Sequence, residues 1–310
     1  MSWTVAVPHP DHPTTSLTFS GHETFVLRAH WLKKAYDLVR DDPALFQRED
    51  AFVRLGVGRN MAQSIRHWAR ACGMLDDAAP AGVSRPSALA HLLFDDAAGL
   101  DPFLVTPAAA WLLHWQISSR PAAAFSWYAT FNVWRGAEFT ADALADAIGQ
   151  AARDYPGRVP SPATLRRDVD CLLRSYVRQD RAAPDDALLC PLHDLRLVRA
   201  LPATDRYHLT SAARPTLPDG LLALAIRRYV HNKGRTFASY AELSYGAGSP
   251  GRIFGLGEDS LAARLWHLDG ATGGLVRASE SAGVRQVVCA QVGDALLDDD
   301  LLRAAFREVR

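Results

Sequence analysis

Glycine, histidine, glutamate and threonine stand together at Gly21-His22-Glu23-Thr24, with Arg28 close behind. An imidazole, a carboxylate and a guanidinium are what a phosphate-cleaving site needs. One moves a proton, one holds a cation or orients water, and one meets the charge on phosphate. His22, Glu23 and Arg28 are therefore the candidate catalytic set. The same spacing has a plainer reading. Ser20 followed three residues later by Glu23 matches a helix capping box, in which both side chains bond backbone N–H groups. One carboxylate cannot fully serve both purposes, and the residues alone leave the choice open.

A second stretch, Gly56-Val57-Gly58-Arg59-Asn60, places a glycine turn before a basic helix. Glycine-rich turns aim N–H groups at anions, but the GxxxxGK[ST] pattern of an ATPase loop is missing. The turn fits the bend of a helix-turn-helix instead. Arg59 and Asn60 would then open the recognition helix, and arginine and asparagine are the side chains that read guanine and adenine in the major groove. Gln63, Arg66, His67 and Arg70 continue the helix, and no acid interrupts Arg59–Arg70. An exposed polar helix start explains the same residues without DNA. The candidate DNA contacts are Lys33, Lys34, Arg59, Asn60, Gln63, Arg66 and Arg70, with Arg166 and Arg167 further along.

Other chemistry is sparse. No Glu-x-Lys or Asp-x-Lys nuclease core occurs, and paired acids such as Asp41-Asp42 and Asp95-Asp96 read as solvated helix ends. Gly251–Ser260 lacks the GxGxxG fingerprint and a preceding βαβ unit, so Gly246–Gly257 reads as a glycine-rich linker. The four cysteines, Cys72, Cys171, Cys190 and Cys289, are scattered in apolar settings, as expected of reduced core thiols in a cytoplasmic protein. Cys190 and His193 are the nearest approach to a metal pair and lack a second pair. Residue chemistry by itself names no active site.

The elements that must position these groups follow from periodicity. The chain has 310 residues, 34 basic and 34 acidic, so no global charge announces nucleic acid. Its positive charge is nearly all arginine, the better fork for phosphate and guanine. No secretory signal or membrane-length apolar run is present. A Pro/Thr-rich leader over residues 1–17 precedes a helix expected from Glu23 to Arg40, a short helix near Glu49–Leu55, and a helix from Arg59 to Cys72 closed by Gly73. Trp111, Trp115, Phe125, Trp127, Tyr128, Phe131 and Trp134 read as core packing rather than a base-stacking platform. Ser161-Pro162 starts a helix over Ala163–Arg178, and a hairpin turns at Pro202–Asp205. The order then repeats: a helix over Leu221–Asn232, a Ser239–Glu242 capping box, a helix over Ser260–Leu268, a hairpin turning at Ser281–Gly283, and an amphipathic tail helix. Helix, turn, helix and hairpin recurring in this way predict a mainly α fold with small β-hairpins, in tandem winged helix-turn-helix domains. The expected divisions are residues 1–106, 107–215 and 216–310.

The motifs Gly21–Phe25, Trp31–Lys34, Leu55–Met61 and Ile65–Trp68 together resemble a family. It is a domain of unknown function encoded beside phosphoadenosine-phosphosulfate-reductase-like genes in bacterial DNA phosphorothioation and phage-defence clusters. Val26 stands where the family usually has proline. Within it the SspB type fits best. The resemblance implies a nickase that opens one strand of double-stranded DNA so that sulfur can replace a non-bridging oxygen; Mg²⁺ or Mn²⁺ is the candidate cofactor for such cleavage. The resemblance implies as partners a cysteine desulfurase, an ATP-pyrophosphatase-like sulfur-transfer protein and an ATPase; the lack of a long apolar run leads to the expectation of no membrane. The resemblance transfers no catalytic residues. A non-catalytic subunit that recruits the sulfur-transfer enzymes, or a transcriptional regulator of the cluster, remains as the rival expectation.

Overall fold

Local chemistry sets most helix starts. The computed structural model describes residues 16–76, 79–178, 190–281 and 284–308; most of the expected leader and the tip of the last hairpin lie outside them. Thr106 caps α5 (Pro107–Ser118), Thr140 caps α7 (Ala141–Ala151), and Ser161 caps α8 (Pro162–Tyr176), each accepting a backbone N–H from the first turn. Ser239 and Glu242 form the expected capping box of α10 (Tyr240–Tyr245).

The first part of the chain comprises α1 (Ala29–Asp41), α2 (Ala51–Arg54), α3 (Arg59–Ala71) and α4 (Ala88–Phe94). Its only β pairing among the described residues is a single bridge, Leu75 to Pro86. Gly73 closes α3 with φ 73°, a conformation glycine adopts without strain. Next come α5, α6 (Phe125–Asn132), β1 (Glu138–Thr140), α7, α8, β2 (Val198–Ala200) and β3 (Arg206–Leu209). The last part holds α9 (Asp219–Asn232), β4 (Phe237–Ser239), α10, α11 (Pro250–Ile253), α12 (Glu258–Ala271), β5 (Val276–Ser281), β6 (Val284–Cys289) and α13 (Ala295–Arg307).

The described residues are thus mainly helical, with two three-stranded antiparallel sheets in the orders β1-β3-β2 and β4-β6-β5. In each sheet a three-residue strand joins a later hairpin and pairs with its second strand. Both hairpins form where the alternation predicts them, whereas β1 and β4 are additions. The Gly246–Gly257 stretch is not a free linker. It contains α11, and Pro250, Ile253 and Phe254 are buried in the core.

One continuous apolar core runs through all three parts. Helix α5 is buried on every side from Ala108 to Ser118, as a helix apolar all round must be. Six of the seven core aromatics expected from Trp111 to Trp134 are buried, and Trp134 packs at the margin. Two polar groups drawn into this interior show how burial is offset by bonding. His114 lies 2.7 Å from both the Tyr176 hydroxyl and the Ile253 carbonyl. The Asn132 amide donates to the Ser118 carbonyl at 2.8 Å and accepts from the Gly248 N–H at 2.8 Å. No helix among the described residues is long and apolar enough to cross a membrane.

Candidate functional site

The Gly21-His22-Glu23-Thr24 segment is a turn, not the first turn of a helix. Ser20, Glu23 and Thr24 adopt φ values of 54°, 48° and 67°, and α1 begins only at Ala29. The expected capping box is therefore replaced by another arrangement, for an electrostatic reason. A buried carboxylate takes Ser20 away. The Ser20 N–H and hydroxyl donate to Asp168 Oδ1 at 2.8 and 3.2 Å, and the Ser126 hydroxyl donates to Oδ2 at 2.7 Å. Hydrogen bonds to an ionised acceptor are about twice as strong as neutral ones, so Asp168 outcompetes the end of a helix.

His22 is 1 % exposed and lies between two partners. The Thr24 N–H donates to Nδ1 at 3.0 Å, which leaves the proton on Nε2, and Nε2 donates to Asp168 Oδ1 at 3.0 Å. The ring sits against Trp68 and Trp127, with centroids 6.3 and 5.8 Å away. Further bonds tie down the rest of the turn. Arg174 donates to the Thr24 carbonyl, and the Trp68 indole donates to the Phe25 carbonyl at 3.1 Å. The Cys171 thiol reaches the same carbonyl at 3.4 Å. Left-handed backbone at non-glycine residues costs about 1–3 kcal/mol each and persists only where surroundings over-determine it. Here α3, α6 and α8 all grip the turn. A Cβ added at Gly21 would stand 2.5 Å from Nδ1 of His67, so no larger residue fits. Burial, aided by the nearby His22, pushes His67 down to about 3.

The three candidate catalytic residues consequently differ. His22 has both ring nitrogens engaged and no free position to offer a substrate in this arrangement. Glu23 is partly exposed, and its carboxylate makes no hydrogen bond or ion pair among the described residues. Arg28 packs its guanidinium 5.0 Å from the centroid of Trp31. Asp168 and Ser126, which organise the turn, were not among the expected site residues. The available signal was an acid at a core position of α8, three residues after Leu165 and four before Leu172.

Helix α3 carries the second cluster. Arg59, Gln63, Arg66 and Arg70 recur at helical spacing along one face, bordered by Asn60. Arg59, Asn60, Gln63 and Arg70 are exposed, and Arg66 is half-buried. Arg59 lies 4.4 Å over the Phe52 ring and Arg66 6.0 Å from that of Phe46. Burial, and then the neighbouring Arg70, lower the Arg66 pKa from its usual value. Two grooves flank Arg66. One, of about 210 Å³, runs past Phe46, Phe52, Arg59 and Gln63; the other, of about 140 Å³, runs past Arg70, Leu75 and Val83. None of the three arginines on this face makes an ion pair among the described residues.

The remaining candidates divide. Lys33 is held by Asp37 at 2.6 Å and Asp96 at 2.9 Å. Lys34 donates to the Leu55 carbonyl at 3.1 Å, bracing the glycine turn ahead of α3. Arg166 is paired with Asp142 and Asp170. Arg167 is exposed on α8 and has no ion pair among the described residues.

No group of three histidine, cysteine, aspartate or glutamate side chains gathers among the described residues, so they do not fit a protein-built metal cage. The Cys190 thiol bonds the Ser175 carbonyl, and His193 bonds that of Arg174. All four cysteines are buried thiols. Burial raises each pKa, to about 12 for Cys190 and Cys289.

The fold aligns with two crystal structures of SspB, one of them magnesium-ion-bound, each with a TM-score of 0.83 and 30% sequence identity. The alignments cover 96% of this chain and 90% of the magnesium-bound structure or 88% of the other. No curated protein sequence matches significantly. The model of the family described as "Protein of unknown function (DUF4007)" matches residues 19–306, from the start of the pinned turn to the last helix, and the chain belongs to that family.

Proposed function

We propose that this protein binds double-stranded DNA through the α3 face and nicks one strand within a DNA phosphorothioation and phage-defence system. The observation that carries the reading is the α3 surface. Three arginines, a glutamine and an asparagine follow a glycine turn, with no acid on the helix and no ion pair on the arginines among the described residues. Guanidinium groups with no ion pair among the described residues are poised for phosphate and base edges. The order of helix, strand, two or three helices and hairpin, with the first strand beside the second strand of the hairpin, suits tandem winged helix-turn-helix units. Arg167, on the equivalent helix of the central unit, is a further phosphate contact in this reading.

Glu23 and Arg28 are the groups we assign to the chemistry, with His22 holding the turn. The likeness to magnesium-bound SspB supports Mg²⁺ or Mn²⁺ as the ion to supply, although no step is assigned to it. A cytoplasmic location, and work alongside a cysteine desulfurase, an ATP-pyrophosphatase-like protein and an ATPase, complete the proposal. A second reading, DNA recognition without cleavage, is favoured by the engagement of both His22 nitrogens.

Supercoiled plasmid incubated with the protein and Mg²⁺ or Mn²⁺ tests the two. Open-circle product that disappears with Glu23→Ala supports the nickase and its site. Salt-sensitive binding without open circles supports recognition alone. Nicking that survives Glu23→Ala keeps the activity and removes the site from this turn.

A further inference from the structure

We propose that Asp168 is the positioning residue of this site: a carboxylate on α8 that fixes, through His22 and Ser20, where Glu23 stands. The consequence for cleavage rests on the nickase reading; the control of the turn does not. Asp168 is 2 % exposed and accepts four hydrogen bonds, three of them from Ser20 and His22. The residues on both sides of Glu23 are thereby fixed. His22 is clamped between Asp168 and the Thr24 N–H, while the Thr24 carbonyl is held by Arg174, also on α8. Glu23 itself has only its backbone tied, its N–H donating to the Ser20 carbonyl at 3.1 Å. The turn therefore holds everything around the Glu23 side chain and leaves its carboxylate unbonded among the described residues. Residues 146 positions apart form one device, so the motif near the start of the chain has its shape set by a helix of the central unit.

The negative charge matters beyond its geometry. The Thr24 N–H requires a lone pair on Nδ1, so His22 must carry its proton on Nε2. A carboxylate can only accept and enforces that tautomer. An asparagine amide can turn its NH₂ toward Nε2, and the protonated Nδ1 would then face the Thr24 N–H. Asp168→Asn thus keeps volume while removing the enforcement, whereas Asp168→Ala leaves Ser20, His22 and Ser126 without their acceptor.

The test measures three properties in the full chain with Asp168→Asn, Asp168→Ala and Ser126→Ala: amide hydrogen exchange of residues 20–25, affinity for a 30-base-pair duplex, and single-turnover nicking of plasmid. For Asp168→Asn, exchange in the turn rises and the nicking rate falls roughly tenfold, while duplex affinity stays within about twofold. Ser126→Ala falls between it and the unsubstituted protein. Equal losses of nicking and duplex affinity would make Asp168 a residue of the general fold and overturn the proposal. Unchanged exchange at residues 20–25 would overturn it too, whatever happens to nicking. If the unsubstituted protein binds but never nicks, the nickase reading fails, and exchange alone decides whether Asp168 governs the turn.

Discussion

His22→Ala separates holding from chemistry, and its cost can be worked from the contacts. The substitution removes a hydrogen bond to a buried carboxylate, worth about 1.5–3 kcal/mol. It leaves the Thr24 N–H without its partner and opens a void beside Trp68 and Trp127. Together these predict a loss of about 3–5 kcal/mol of stability, the range for emptying a well-packed site or stranding a buried charge. Glu23→Ala touches a partly exposed side chain with no partner among the described residues and should stay within about 0.5 kcal/mol. Urea unfolding followed by tryptophan emission is the assay, because two indoles flank the ring. Melting of His22→Ala within about 1 kcal/mol of the unsubstituted protein would refute the pinned turn. So would a Glu23→Ala loss of the same size as that of His22→Ala. If the reasoning holds, absent nicking by His22→Ala reports a collapsed turn, and Glu23→Ala becomes the informative variant.

Three further outcomes follow. In fluorescence anisotropy between 50 and 200 mM salt, Arg59→Ala, Arg66→Ala and Arg70→Ala should each flatten the log–log salt slope by about one unit. Lys33→Ala and Arg166→Ala should barely change it, because Asp37 and Asp96, or Asp142 and Asp170, already match those charges; an equal effect from either would remove α3 as the contact face. His67 and His114 are each pushed down to about 3 by burial, so both are neutral in the fold. The unfolded chain then binds more protons below its histidine pKa of about 6.5, and the contribution of these two histidines to stability is flat above pH 7 and falls as pH drops toward 5, by up to about 1.4 kcal/mol per unit for each histidine. Thermal midpoints across that interval should decline less in His114→Gln, and an unchanged slope would count against neutral burial. Asp298 lies 3.0 Å from Arg227 Nε and 2.8 Å from Arg228 Nε, and all three residues are buried. Asp298→Ala removes the carboxylate that two buried guanidinium groups share and should cost about 3–5 kcal/mol in urea unfolding, whereas a near-neutral result would mean that water reaches the pair.

What could be read in the sequence was what neighbouring residues decide among themselves. Ser161-Pro162 starts a helix, Ser239 with Glu242 caps one, and alternation around Pro202–Asp205 makes a hairpin, because each partner lies within a few positions. The three-residue strands β1 and β4 were invisible: each is shorter than a pattern and exists only because a hairpin tens of residues later offers it a ladder. Ser20 and Glu23 have the same spacing as Ser239 and Glu242, yet only the second pair caps a helix. The difference is not local. Ser20 finds a buried carboxylate 148 residues away, and a charged acceptor in the interior is worth more than a helix end. The candidate site was therefore legible in its residues and not in its geometry. The motif marked where to look, while the acid that shapes it resembled one more charge among the arginines of α8. The general signal is an acid on an otherwise apolar helical stripe. Such a group cannot stay buried unpaired, so the sequence around it implies donors elsewhere in the chain, and polar residues that fit no local role, such as those of Ser20–His22, are the ones to match with it.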